Sequence, residues 1–116
     1  MILHLTSDLM ATSGLKSVAR QKGVTTKVVM SPKQLSFEQD EPVQLLVIDL
    51  QTNGLDVETF MGELRANYQG PVIAYAQHVH EELISSAQQA GIQNVITRGQ
   101  FTRSMDQIVE SVDATS

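Results

Sequence analysis

The stretch VQLLVIDLQTNGLDVETF, residues 43–60, decides the fold of this chain. It opens on a continuous apolar run that ends at one acid, Asp49. A short unbroken run of Val, Leu and Ile reads as a strand covered on both faces, the pattern of a parallel sheet. A carboxylate at the tip of such a strand is costly unless something compensates it. The polar, Gly-containing segment QTNG then gives way to Val57, Phe60, Met61, Leu64 and Tyr68, spaced as the buried stripe of an amphipathic helix.

The same strand-then-helix alternation repeats on either side. MILHLT (1–6) is a short apolar strand, and Leu9, Leu15, Val18 and Ala19 follow at helical spacing up to Gly23, a natural helix terminator. TTKVVM (25–30) is β-branched and reads as a second strand. SPKQ (31–34) predicts a helix start, with Ser31 as cap, Pro32 in the first turn and Gln34 closing a capping box. GPVIAYA (70–76) supplies strand four; Leu83, Ile84, Ala87 and Ala90 mark a helix that stops at Gly91. IQNVIT (92–97) is strand five, and Met105, Ile108, Val109 and Val112 mark a last helix, with Ser104 and Gln107 as its capping box. The tail at 113–116 is expected to fray. Five strands alternating with five helices on short connections imply a three-layer α/β domain around a parallel sheet.

Composition narrows the function classes. The 116 residues suit one domain, and the mean hydropathy of −0.08 is that of an ordinary water-soluble chain. With no cysteine there is neither a disulfide framework nor a thiolate metal site. Eight basic against thirteen acidic residues, a net charge of −5, speak against nucleic-acid binding. MILHLTSDLM has neither the basic start nor the long apolar core of a secretion signal, and no run approaches the roughly 20 apolar residues of a membrane span. A cytoplasmic location without membrane association is therefore expected.

In a parallel sheet of this kind ligands sit beyond the carboxyl ends of the strands. The residues at that edge are Thr6, Ser7 and Asp8 after strand one, Asp49 after strand three, Ala76 to His78 after strand four, and Arg98 and Gly99 after strand five.

Over about residues 1–112 the chain resembles the receiver domains of bacterial response regulators. The resemblance rests on LLVIDL (45–50), with Asp49 at the phosphoacceptor place, on GPVIAYA (70–76), and on SAQQAGIQNVITR (86–98) leading into strand five. It implies a flavodoxin-like fold of strand order 2-1-3-4-5 and a role in two-component signalling or a phosphorelay. The departures from the family pattern are as informative. The two acids that follow strand one in active receivers, and that hold Mg²⁺ with the phosphoacceptor, fall here on Thr6 and Ser7, with Asp8 one place further on. The hydroxyl residue ending strand four falls on Ala76 and the strand-five aromatic on Val95. The lysine after strand five is replaced by Arg98, and the proline behind it by Gly99. The expectation is a pseudo-receiver: a stand-alone, non-enzymatic module acting by protein–protein contact, with no cofactor and no metal site. The alternative is a working receiver that phosphorylates itself on Asp49 with Mg²⁺.

If Asp49 no longer accepts phosphate, its charge needs a partner. The reading predicts Arg98, whose planar guanidinium binds a carboxylate through paired hydrogen bonds. Asp8 is read as the cap of the first helix. His4, inside strand one, reads as a satisfied core histidine, and His78 and His80 as rim residues rather than metal ligands. GLKS (14–17) lacks the spacing of a phosphate-binding loop, and no nucleophile-elbow motif is present. The resemblance places the partner or weak homodimer face on the helix after strand four, strand five and the last helix. On it the sequence carries Glu81, Glu82, Arg103, Asp106 and Glu110.

Overall fold

The structure, a computed structural model, describes residues 1–113. Five parallel strands, β1 (Ile2–Leu5), β2 (Thr26–Val29), β3 (Leu45–Asp49), β4 (Val72–Ala76) and β5 (Asn94–Thr97), form one sheet in the order β2-β1-β3-β4-β5. This is the flavodoxin-like arrangement, with β1 and β3 adjacent where the direction of winding reverses. The helices are α1 (Leu9–Gln21), α2 (Val57–Leu64), α3 (Glu81–Gln89), α4 (Arg98–Arg103) and α5 (Met105–Asp113).

Strand alternation sorts the core into two layers. Leu3, Leu5, Leu46, Ile48, Ala74 and Ala76 face α2 and α3, where Phe60, Met61, Leu64 and Ala87 close over them. Ile2, Leu45, Val47 and Tyr75 face the opposite layer, against Leu15 and Ala19 of α1, Phe101 of α4 and Val109 of α5. Every residue of β1 and β3 is buried, which is why those segments read as unbroken apolar runs. Helix α1 ends as the sequence predicts: Gly23 takes a left-handed φ of 73°, and its amide donates to the Arg20 carbonyl.

Two expected elements differ. Residues 31–34 form only a 3₁₀ turn (Pro32–Gln34), and the Ser31 side chain makes no capping bond. Beyond Gln34 no apolar stripe at helical spacing sustains a helix; Leu35 and Phe37, two apart, pack as an extended segment against the α2 layer. The last helical region begins earlier than predicted. Thr97 accepts from the Gln100 amide, and the Gln100 side chain accepts in turn from the Thr97 amide, a capping box that starts α4 directly at the end of β5. Ser104 ends α4 and also stands directly before α5, at the cap position predicted for the final helix, where its carbonyl accepts from the Ile108 amide at 2.9 Å. Of the tail, Asp113 closes α5, and the expected fraying of 114–116 falls outside the described residues.

Candidate functional site

The parallel register aligns Leu5 with Ile48 and Asp49 with Tyr75, so Thr6, Asp49 and Tyr75 stand in a row at the carboxyl ends of three neighbouring strands. Asp49 is only 5% exposed. Its carboxylate is satisfied by two uncharged donors. The Thr6 hydroxyl donates to Oδ2 at 2.6 Å, and the Gln51 amide donates to Oδ1 at 2.9 Å, an Asx turn that begins the loop after β3. Thr6 is fully buried, and its oxygen also accepts from the Asp8 amide at 3.0 Å.

Arg98 does not reach Asp49, contrary to the sequence expectation. Its Nη2 donates to Oδ2 of Asp8 at 2.6 Å, with both side chains about one-third exposed. The physical reason is desolvation. Carrying a guanidinium into the floor of the crevice would strip its water, whereas Thr6 supplies a donor to the buried acid without bringing a second charge. Arg98, as first residue of α4, meets Asp8 at the wetter rim. The other oxygen of Asp8 accepts from the Met10 amide at 2.9 Å, so Asp8 caps α1 as predicted and is ion-paired as well. The Arg98 hydrogen bond first, and the Met10 amide second, hold the Asp8 carboxyl below its ordinary range.

The loops above this row are tied together by neutral contacts. Ser7 Oγ accepts from the Asn53 amide at 3.3 Å, joining the loops after β1 and β3. Gln51 Oε1 accepts from the Gln77 amide at 2.9 Å, joining those after β3 and β4. The Thr52 hydroxyl donates back to the Asp49 carbonyl at 2.6 Å. Gln51 and Thr52 were not picked out from the sequence; their signal was position, two and three residues past a strand-end acid.

On the α1 side, below Asp49, lies the second buried polar pair. His4, 1% exposed, has Nε2 2.8 Å from the Tyr75 hydroxyl, which makes it the satisfied core histidine expected. Burial pulls its pKa down to about 4, so the imidazole is neutral. Tyr75 stacks on Phe101 with centroids 4.2 Å apart, and burial, reinforced by the nearby Asp49 charge, raises its phenol strongly. The only strand-four hydroxyl near the crevice is thus directed at His4; Ala76, next in sequence, is fully buried in the other layer. Val95 is half-buried against that same layer.

His78 and His80 are exposed beyond β4, His80 at the cap position of α3 without a side-chain capping bond. No group of three or more His, Asp or Glu side chains comes together among the described residues in a form that could hold a metal ion. Glu81, Glu82, Arg103 and Asp106 are exposed. Glu110 is not free: it pairs with Lys22 of α1 at 3.2 Å. Among the described residues no helix is long and apolar enough to cross a membrane.

A doubly wound sheet with an acid at the end of β3, opposite the β1 edge, defines a receiver-type fold. The chain is similar in structure to the receiver domain of NtrX from Brucella abortus, with a TM-score of 0.78 at 19% identity over 100% of both chains. It is similar also to a Francisella response-regulator receiver domain (TM-score 0.76, 20% identity, 98% of this chain and 96% of that one). A third likeness is a response regulator receiver protein from Pseudoalteromonas atlantica (TM-score 0.78, 14% identity, 98% and 97%). No protein-family model matches the chain, and no curated protein matches it in sequence.

Proposed function

We propose that this chain is a receiver-like signalling module that works by protein–protein contact and whose crevice has lost Mg²⁺-dependent phosphorylation of Asp49. The observation that carries the reading is the state of Asp49: a buried carboxylate with one oxygen bound by the Thr6 hydroxyl and the other by the Gln51 amide. Mg²⁺ takes oxygen ligands in tight octahedral geometry and is held by carboxylate charge. The donor set here does not fit it. Thr6 and Ser7 bring no charge, Thr6 spends its proton on Asp49, and both Asp8 oxygens are engaged by Arg98 and the Met10 amide. Phosphoryl transfer rests on placing positive charge around the transferred group, and Arg98 gives its hydrogen bond to Asp8 rather than to Asp49.

Contact with another protein is supported by the surface. Among the described residues four large hydrophobic side chains are exposed, Leu9, Met10, Met30 and Val79, and they stand just past the carboxyl ends of β1, β2 and β4. Glu81, Glu82, Arg103 and Asp106 add a mixed-charge surface along α3, α4 and α5.

Incubation with Mg²⁺ and acetyl phosphate tests the reading. Intact-mass analysis should show no added phosphoryl group. A stoichiometric gain that disappears in Asp49→Asn would establish the working-receiver alternative instead. The same untreated sample, sedimented at several concentrations, reports self-association; a strict monomer leaves a different protein as the partner.

A further inference from the structure

Two of the eight basic residues of this acidic chain, Arg98 and Arg103, stand together on α4, past the end of β5. Beyond the ends of β4 and β5 an open cleft of about 640 Å³ is lined by Gln77, His78, Thr97, Arg98, Thr102 and Arg103, with Val79 and Gly99. None of its lining residues is acidic, although the chain carries thirteen acids against eight bases. The Arg103 side chain makes no ion pair and donates no hydrogen bond among the described residues. Its guanidinium lies over Gly99, where an added Cβ would meet Nη1 at 3.6 Å. Arg98 uses Nη2 on Asp8 and none of its other N–H groups on a described side chain. The Thr97 hydroxyl accepts from Gln100 and keeps its own proton to give.

From this arrangement we infer that the cleft is a binding site for a small molecule bearing a phosphate monoester. Two arginines line one space, Arg103 with its guanidinium over Gly99, and a guanidinium is a planar fork of donors suited to an anion with several oxygens. Asp8 already satisfies one edge of Arg98, so the unspent donors of Arg98, Arg103 and His78 exceed what a single further carboxylate would take. A tetrahedral dianion matches them better. The cleft is open and larger than inorganic phosphate, which leaves room for an organic body lying along it. His78 and the exposed Val79 offer that body a flat ring and an apolar contact. The inference does not depend on the state of Asp49, because none of the Asp49 bonding groups lines the cleft.

Adenosine monophosphate is the probe, since it cannot phosphorylate an aspartate. Titrated into ¹⁵N-labelled protein at low ionic strength, it should give saturable amide shifts at His78, Gly99, Thr102 and Arg103, weakening as salt is added. It should bind more tightly than inorganic phosphate. Arg103→Ala, which removes no internal bond, should weaken binding about tenfold, the effect of one lost charge-assisted contact. Absence of saturation, shifts centred on Asp49, or affinity unchanged in Arg103→Ala would each overturn the site. Phosphate binding as tight as the nucleotide would overturn the ester assignment.

Discussion

The floor and the rim of the crevice solve the same problem by different means. At the floor, Asp49 and His4 are almost fully buried, and each is met by an uncharged hydroxyl, from Thr6 and Tyr75 respectively. At the rim, Asp8 and Arg98 meet as full charges with about a third of each side chain in water. The difference teaches how depth selects the partner of an acid. In the interior a charged partner would have to be desolvated, so a neutral donor is the cheaper companion; at the surface a cation keeps its water and can pair. The buried acid is thus held by neutral groups and the rim acid by a cation.

The comparison is sharpened first by acid. His4 is held near a pKa of about 4 against 6.5 for a free histidine, so the unfolded chain binds the extra proton between those values. Stability contributed by neutral His4 is complete above pH 6.5 and is lost as the pH falls towards 4. The loss amounts to about 3 kcal/mol from this group. Urea midpoints measured from pH 7 to pH 4 should fall accordingly, and His4→Gln should flatten the slope; an unchanged slope would show that His4 is not the titrating group.

The next largest effect is at Thr6. Thr6→Val preserves shape but removes the donor to Asp49 Oδ2 and the acceptor of the Asp8 amide, stranding part of a buried carboxylate. A loss of about 2–3 kcal/mol at pH 7 is expected in urea denaturation. Combining it with Asp49→Leu, which removes the stranded charge, should recover part of that loss. If the double variant is as unstable as the sum of the two, the neutral floor is not the unit described here.

Most of the fold was legible because parallel strands covered on both faces leave continuous apolar runs, and the 45–49 run, the 72–76 run and the stripe from Val57 to Leu64 are unambiguous. Local hydrogen-bonding motifs were less so. Ser31 and Gln34 fit the capping pattern, yet no apolar stripe follows to make a helix worth capping, whereas Thr97 and Gln100 fit it and α4 packs Phe101 against Tyr75. At the site, the burial of Asp49 and the core role of His4 could be read from strand position. The partner of Asp49 could not. Charge complementarity pointed to Arg98, but the deciding quantity was the depth of each group, and depth is a property of how loops cross the sheet end rather than of residue type. Tyr75 shows the same limit: its place opposite Asp49 follows from the β3–β4 register, which no single segment contains.

The smallest effect separates floor from rim most directly. Arg98→Ala removes the guanidinium from Asp8, a carboxylate about one-third exposed that water can solvate in its place, so the loss should be slight, smaller than that of Thr6→Val, and should shrink as salt rises. Asp8→Asn and Arg98→Ala should couple in a double-mutant cycle, because they share one bond; Asp49→Asn and Arg98→Ala should be additive, because they share none. The sign of the pH dependence follows from Asp8: its carboxyl is held low in the folded chain, so the pair stabilises above the ordinary carboxylate range and its contribution fades as the pH falls through the depressed value. Coupling between Asp49 and Arg98 in place of Asp8 would return the arginine to the floor, and with it the charge that a phosphoryl-accepting crevice requires.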